Sequence, residues 1–104
     1  MIFIKMNSFG HRIRELREKR QLPLRTVAAF LDIDQAILSR MERGQRKASR
    51  EQVVKLSEYF CADENELLLA WLSDKVVYAL ADEEMAMDAL LVAEDQIKYL
   101  KTKK

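Results

Sequence analysis

Residues 24–44, LRTVAAFLDIDQAILSRMERG, constrain the fold more than any other part of the chain. They read as two short helices joined by a tight turn. The spacing of Val27, Ala28, Phe30 and Leu31 gives the first helix one apolar face. Ala28 is small enough to let a crossing helix approach. Asp32-Ile33-Asp34 makes the turn. Asp32 tolerates a left-handed backbone because its short side chain bonds locally, and Asp34 is placed to cap the helix that follows. That helix, residues 35–43, buries Ile37, Leu38 and Met41. Gly44 stops it by entering the left-handed region without strain.

The outer side of the second helix carries Gln35, Ala36, Ser39 and Arg40, at spacings of one, three and four that place them together. Their chemistry matches base edges. Gln offers adenine a bidentate pair, Arg does so for guanine, and Ala meets a thymine methyl. These residue types are also ordinary on a solvated helix, so the pattern alone leaves both readings open.

The stretch resembles the helix-turn-helix of the XRE family, the phage-repressor and Cro-like class. The resemblance is carried by Ile13-Arg14-x-Leu16-Arg17-Glu18, Val27-Ala28, Ile33, Ile37-Leu38-Ser39-Arg40 and Glu42-Arg43-Gly44. It covers roughly the first sixty residues, the size of a small helical domain. It implies a five-helix, all-α head that binds double-stranded DNA, and it implies that Arg17 pairs with Glu42, tying the first helix to the end of the recognition helix. The chain departs from the family pattern at the turn before residue 24. There, Gln21, Pro23 and Leu24 replace a turn Gly, a Ser cap and a phosphate-holding Gln. Arg25 and Thr26, with the backbone N–H groups at that helix start, are the candidates to replace the lost phosphate contact. Beyond Gly44, the run Gln45-Arg46-Lys47-Ala48-Ser49-Arg50 joins Arg40 and Arg43 in a dense positive patch. In the family this loop lies on the DNA backbone, so Arg43, Gln45, Arg46 and Lys47 are the expected phosphate contacts.

Net charge is only +1, but it is unevenly spread. Residues 1–60 hold 13 Lys/Arg against 7 Asp/Glu, and residues 61–104 hold 5 against 10. A basic front half suits a polyanion, and an acidic rear half suits a different partner. Ser49-Arg50-Glu51-Gln52 resembles a capping box that opens a helix to about Phe60, with Val53, Val54, Leu56, Tyr59 and Phe60 on its apolar face. Asp63 to Glu66 reads as another. The head domain is therefore assigned to residues 1–66, and a helical extension to residues 67–104.

The extension begins LLLAWLSDKVVYAL, apolar on nearly every side, which requires burial on more than one face. Asp82-Glu83-Glu84 then favours a new helix start. Ala86, Leu90, Ala93, Ile97 and Leu100 follow at steps of four and three, a short heptad seam. Leu68, Trp71, Leu72, Val76, Tyr78, Leu90 and Ile97 are the expected dimerisation residues, and Lys101 to Lys104 are expected to fray. A pair of recognition helices on a two-fold axis reads half-sites about 34–36 Å apart, or a multiple of that, so the expected target is an inverted repeat.

Little supports catalysis. The chain has no glycine-rich phosphate loop, no metal-ligand spacing and no nucleophile with a histidine base. His11 stands alone, and Glu83-Glu84 and Glu94-Asp95 point to different sides of a helix. No cofactor and no metal are expected. Cys61, the one cysteine, reads as a partly buried linker residue. Residues 1–5 read as a short strand, an apolar peg or a leader, with Met6 an alternative start. No membrane span or secretory signal is visible, and the chain reads as cytoplasmic. The expectation is a homodimeric transcriptional repressor without enzymatic activity. The alternative is an antitoxin or helical adaptor whose C-terminal helices bind another protein.

Overall fold

The computed structural model describes residues 8–103. Among them are six α-helices and no strand: α1 Phe9–Lys19, α2 Leu24–Leu31, α3 Gln35–Glu42, α4 Arg50–Phe60, α5 Glu64–Leu80 and α6 Ala86–Thr102. Residues 1–5, read above as strand, peg or leader, lie outside the described residues.

The first four helices all stop in the same way. The amide of Leu22 bonds the carbonyl of Arg17, Ile33 bonds Ala28, Gln45 bonds Arg40 and Ala62 bonds Ser57, at 2.8–3.1 Å. Each bond closes over a residue at positive φ: Gln21 (56°), Asp32 (59°), Gly44 (76°) and Cys61 (53°). These are Schellman endings. The residues just beyond Gln21, Asp32 and Cys61 (Leu22, Ile33 and Ala62) are apolar and pack against the core. That contact holds three residues with a Cβ in a conformation that glycine would adopt without cost. Cys61 is exposed, not partly buried as its sequence context suggests, because it occupies such a turn.

The helix starts are less uniform. Ser49 forms the expected capping box with Gln52. Asp63 caps α5 by accepting from the amides of Asn65 and Glu66. Asp34 does not cap α3 through its side chain, and Pro23 cannot cap α2, so the first turns of both helices have no side-chain cap. Helix α6 begins at Ala86, later than the acidic run at 82–84 suggests; residues 81–85 form turns instead, and the helix continues to Thr102.

One core joins α1 to α5. It contains Phe9, Ile13, Val27, Ala28, Leu31, Leu38, Met41, Ala48, Val53, Leu56, Phe60, Leu67 and Trp71. Phe30, placed on the apolar face by its spacing, is half-exposed and stacks on Tyr59 at 4.4 Å. The boundary expected at residue 66 falls inside α5, a continuous helix whose first half is core and whose second half is not. Leu68 and Trp71, expected among the dimerisation residues, face the head: Leu68 packs on the core and Trp71 is buried. Helix α6 has no buried residue. The Cα radius of gyration is 15.6 Å, above the ~13 Å of a compact domain of about 100 residues.

Candidate nucleic-acid interface

The geometry of α3 follows from what it buries. Leu38 and Met41 enter the core, and Ile37 is half-buried. Glu42 follows them inward. Gln35, Ala36 and Arg40 are left exposed on the opposite side, with Ser39 half-exposed beside them. The four residues read as base-contacting therefore sit on the outer side of a helix fixed from beneath.

Glu42 fixes its far end. The Arg17 Nε–H donates to Glu42 Oε2 at 2.7 Å and Nη2 donates to Oε1 at 3.0 Å, a bidentate pair. A third donor, Nη1, reaches the Leu22 carbonyl at 2.8 Å. The Glu42 side chain is 4% exposed and that of Arg17 12%. The hydrogen bond to Glu42 raises the Arg17 pKa still further, against the opposing effect of burial. This guanidinium thus ties α1, the turn before α2 and the end of α3 together. Gly10 allows the approach. A Cβ there would lie 2.3 Å from the Met41 carbonyl oxygen and 2.7 Å from that of Glu42. Sequence reading missed Gly10, although a glycine in the first turn of a helical pattern is a signal of close packing.

The basic residues divide into two groups. On α1, Arg14 pairs with Glu18, and Arg12 with Glu15 and with Glu66 on α5. The Arg14 hydrogen bond holds the Glu18 carboxyl below its ordinary pKa. Among the described residues no carboxylate pairs with Arg25, Arg40, Arg43, Arg46 or Lys47, all of them exposed. Arg43 bonds the Ser39 carbonyl through Nε, and Gln45 is exposed in the same loop. Arg25 and Thr26 stand in the first turn of α2.

The loop after α3 is held from below by a residue that sequence reading assigned elsewhere. The Trp71 indole N–H donates to the Ala48 carbonyl at 2.9 Å. Neighbouring Asp74 accepts from the Phe9 amide at 2.9 Å, and desolvation pushes its carboxyl pKa upward. The loop, the start of α1 and α5 enclose an open cleft of about 630 Å³.

The remaining expected dimerisation residues, Leu72, Val76, Tyr78, Leu90 and Ile97, are exposed. Val77, Leu91, Val92, Tyr99 and Leu100 are exposed with them. Among the described residues no cluster of three or more potential metal ligands occurs, and no helix is long and apolar enough to cross a membrane.

Residues 8–70 match a family model described as a helix-turn-helix domain. A curated relative, the HTH-type transcriptional repressor RghR of Bacillus subtilis (strain 168), is 36% identical over 50 residues. That match covers 48% of this chain and 37% of RghR, so the chain spans little more than a third of its relative's length. Among solved structures, the restriction-modification controller protein C.AhdI from Aeromonas hydrophila aligns with a TM-score of 0.52 and 36% sequence identity. It covers 57% of this chain and 89% of C.AhdI.

Proposed function

The chain belongs to the XRE-type helix-turn-helix family, and from that premise we propose that it is a homodimeric transcriptional repressor acting on an inverted-repeat operator. The coarser part of this reading, a helix-turn-helix DNA-binding regulator, follows from the family match and the repressor and controller relatives. The observation that carries base reading is the outer face of α3 with its surrounding cations. Gln35, Ala36, Ser39 and Arg40 read base edges in the major groove. Arg43, Gln45, Arg46 and Lys47 hold phosphates on one side, and Arg25, Thr26 and the uncapped amides of α2 hold them on the other. Cations left without carboxylates next to a recognition helix are available to replace counterions on DNA.

Dimerisation is supported by the second half of α5 and by α6. An amphipathic helix that buries nothing lacks the tertiary packing from which most helical stability in proteins comes. A second copy, packed on Leu72, Val76, Leu90 and Ile97, removes that surface from water and pairs two recognition helices for half-sites one helical turn, or a multiple, apart. The same bare face supports a second reading, in which it binds a different protein, as an antitoxin or adaptor would.

The test is a fluorescence-anisotropy titration at two salt concentrations, with duplex from upstream of the protein's own gene against scrambled duplex. The proposal expects tighter binding to the upstream duplex and marked weakening with salt. Binding to neither duplex would move the weight to the adaptor reading, and a strictly monomeric chain at micromolar concentration would count against the homodimer.

A further inference from the structure

Helix α5 is expected from its sequence to serve dimerisation, yet its buried Trp71 lies under the loop read above as phosphate-binding, and one turn further on the helix exposes a cation, Lys75. Lys75 Nζ sits 3.8 Å from the centroid of the Trp71 ring. The Arg50 guanidinium, at the start of α4 just past the loop, lies 5.3 Å from the same centroid. Two turns beyond Trp71 on α5, the Tyr78 ring receives Lys47 Nζ at 4.5 Å. Lys75 lines the same cleft as Arg46 and Lys47.

The positive heads of Arg50 and Lys75 both lie over one ring, which puts them closer together than the ~10 Å screening length at 0.1 M salt. Two like charges held so near repel. The face of the indole offsets part of that repulsion. Carboxylates do not: among the described residues none forms an ion pair with Lys47, Arg50 or Lys75. The two acids of the cleft are both engaged, Glu42 with Arg17 and Asp74 with the Phe9 amide. What remains is a row of exposed cations from the loop onto α5, resting on two aromatic rings and, among the described residues, in no ion pair with a carboxylate. A polyanion's backbone is the partner that neutralises such a row.

We propose that helix α5 completes the DNA-backbone interface: Lys75, held with Arg50 on the ring of Trp71, supplies a phosphate contact beyond those of the loop, and Trp71 acts as a positioning residue for both. The inference rests on the DNA-binding reading above and extends it to a helix outside the helix-turn-helix itself.

The experiment compares wild type, Lys75→Gln and Lys98→Gln by fluorescence anisotropy on one random-sequence duplex across a salt series. Sedimentation run in parallel keeps the comparison at concentrations where all three have the same oligomeric state. Lys98 is an exposed cation of α6, paired with Glu94, and reports the effect of lost net charge alone. Each phosphate neutralised contributes about 0.9 to the slope of log K against log salt. Lys75→Gln is expected to flatten that slope by about one for each DNA-bound copy and to weaken binding alike on every sequence, with Lys98→Gln unchanged. Trp71→Leu, which removes the ring, is expected to flatten the salt slope as Lys75→Gln does while its circular dichroism stays helical, and weaker binding with an unchanged slope overturns the positioning role of Trp71. A Lys75→Gln slope equal to wild type, or an equal loss in Lys98→Gln, overturns the role of Lys75. A wild type with no salt-dependent binding would instead refute the DNA reading on which this rests.

Discussion

Removing one member of the Arg17–Glu42 pair should cost more than any other single surface-adjacent change in the head. Both side chains are largely out of water, and two hydrogen bonds join them at 2.7 and 3.0 Å. Breaking a buried pair by deleting one partner typically costs about 3–5 kcal/mol, because the other charge stays buried without compensation. Arg17→Met also frees the Leu22 carbonyl, adding about 1 kcal/mol. For a domain of this size each kcal/mol lowers Tm by roughly 4–8 °C, so Glu42→Leu should lower it by about 12 °C or more. Removing both charges leaves no stranded ion, so the double variant Arg17→Met/Glu42→Leu should cost no more than about 2 kcal/mol. Urea unfolding followed by the fluorescence of Trp71, the only tryptophan and a core residue, measures all three against wild type. Single variants within about 1 kcal/mol of wild type would refute the reasoning. So would a double variant whose cost equals the sum of the singles, since the two charges would then be uncoupled.

Gly10→Ala should destabilise the fold by about 3 kcal/mol, since its Cβ meets two carbonyl oxygens of α3 rather than a movable side chain; thermal unfolding reads this directly. Asp74 carries a pH signature. Its pKa is raised by burial, so between the ordinary aspartate value and the raised one the folded state binds the extra proton, and its contribution to stability falls as pH rises through that window. Asp74→Asn retains an acceptor for the Phe9 amide without the charge. The stability of wild type relative to this variant should therefore decline from low pH upward and then level off, and a difference independent of pH would contradict the assignment. Leu90→Glu together with Ile97→Glu should leave the monomer folded, because neither residue is buried in it, while lowering the sedimentation coefficient to that of one chain. A dimer that survives both changes would show that another surface holds it.

The head was legible because its signals are local and repeated. Asp32 and Gly44 mark left-handed stops, Ser49 and Gln52 make a capping box, and the apolar positions of α1 to α4 recur at helical spacing. Three features escaped for physical reasons. Gln21 and Cys61 take positive φ because the apolar residue after each is held by the core, a tertiary cause that no turn preference reveals. Trp71 has the residue type of an interface anchor, but the Ala48 carbonyl, 23 positions away in sequence, holds it inside. Asp34 has the right type for a cap, yet its side chain makes no capping bond. At the interface, the outer face of α3 could be read from spacing alone. The contribution of α5 could not, because Arg50 and Lys75, 25 positions apart in sequence, meet only at the Trp71 ring in the folded chain.

Selection of duplexes from a random-sequence pool by the full chain tests the central claim most directly. It asks at once whether α3 reads bases and whether two copies act together. The account predicts enrichment of a pseudo-palindrome whose half-sites lie one helical turn, or a multiple, apart, and loss of preference at one position in each half-site for Arg40→Ala. A pool that stays random after repeated rounds, although the protein retains DNA, would contradict sequence-specific recognition by α3.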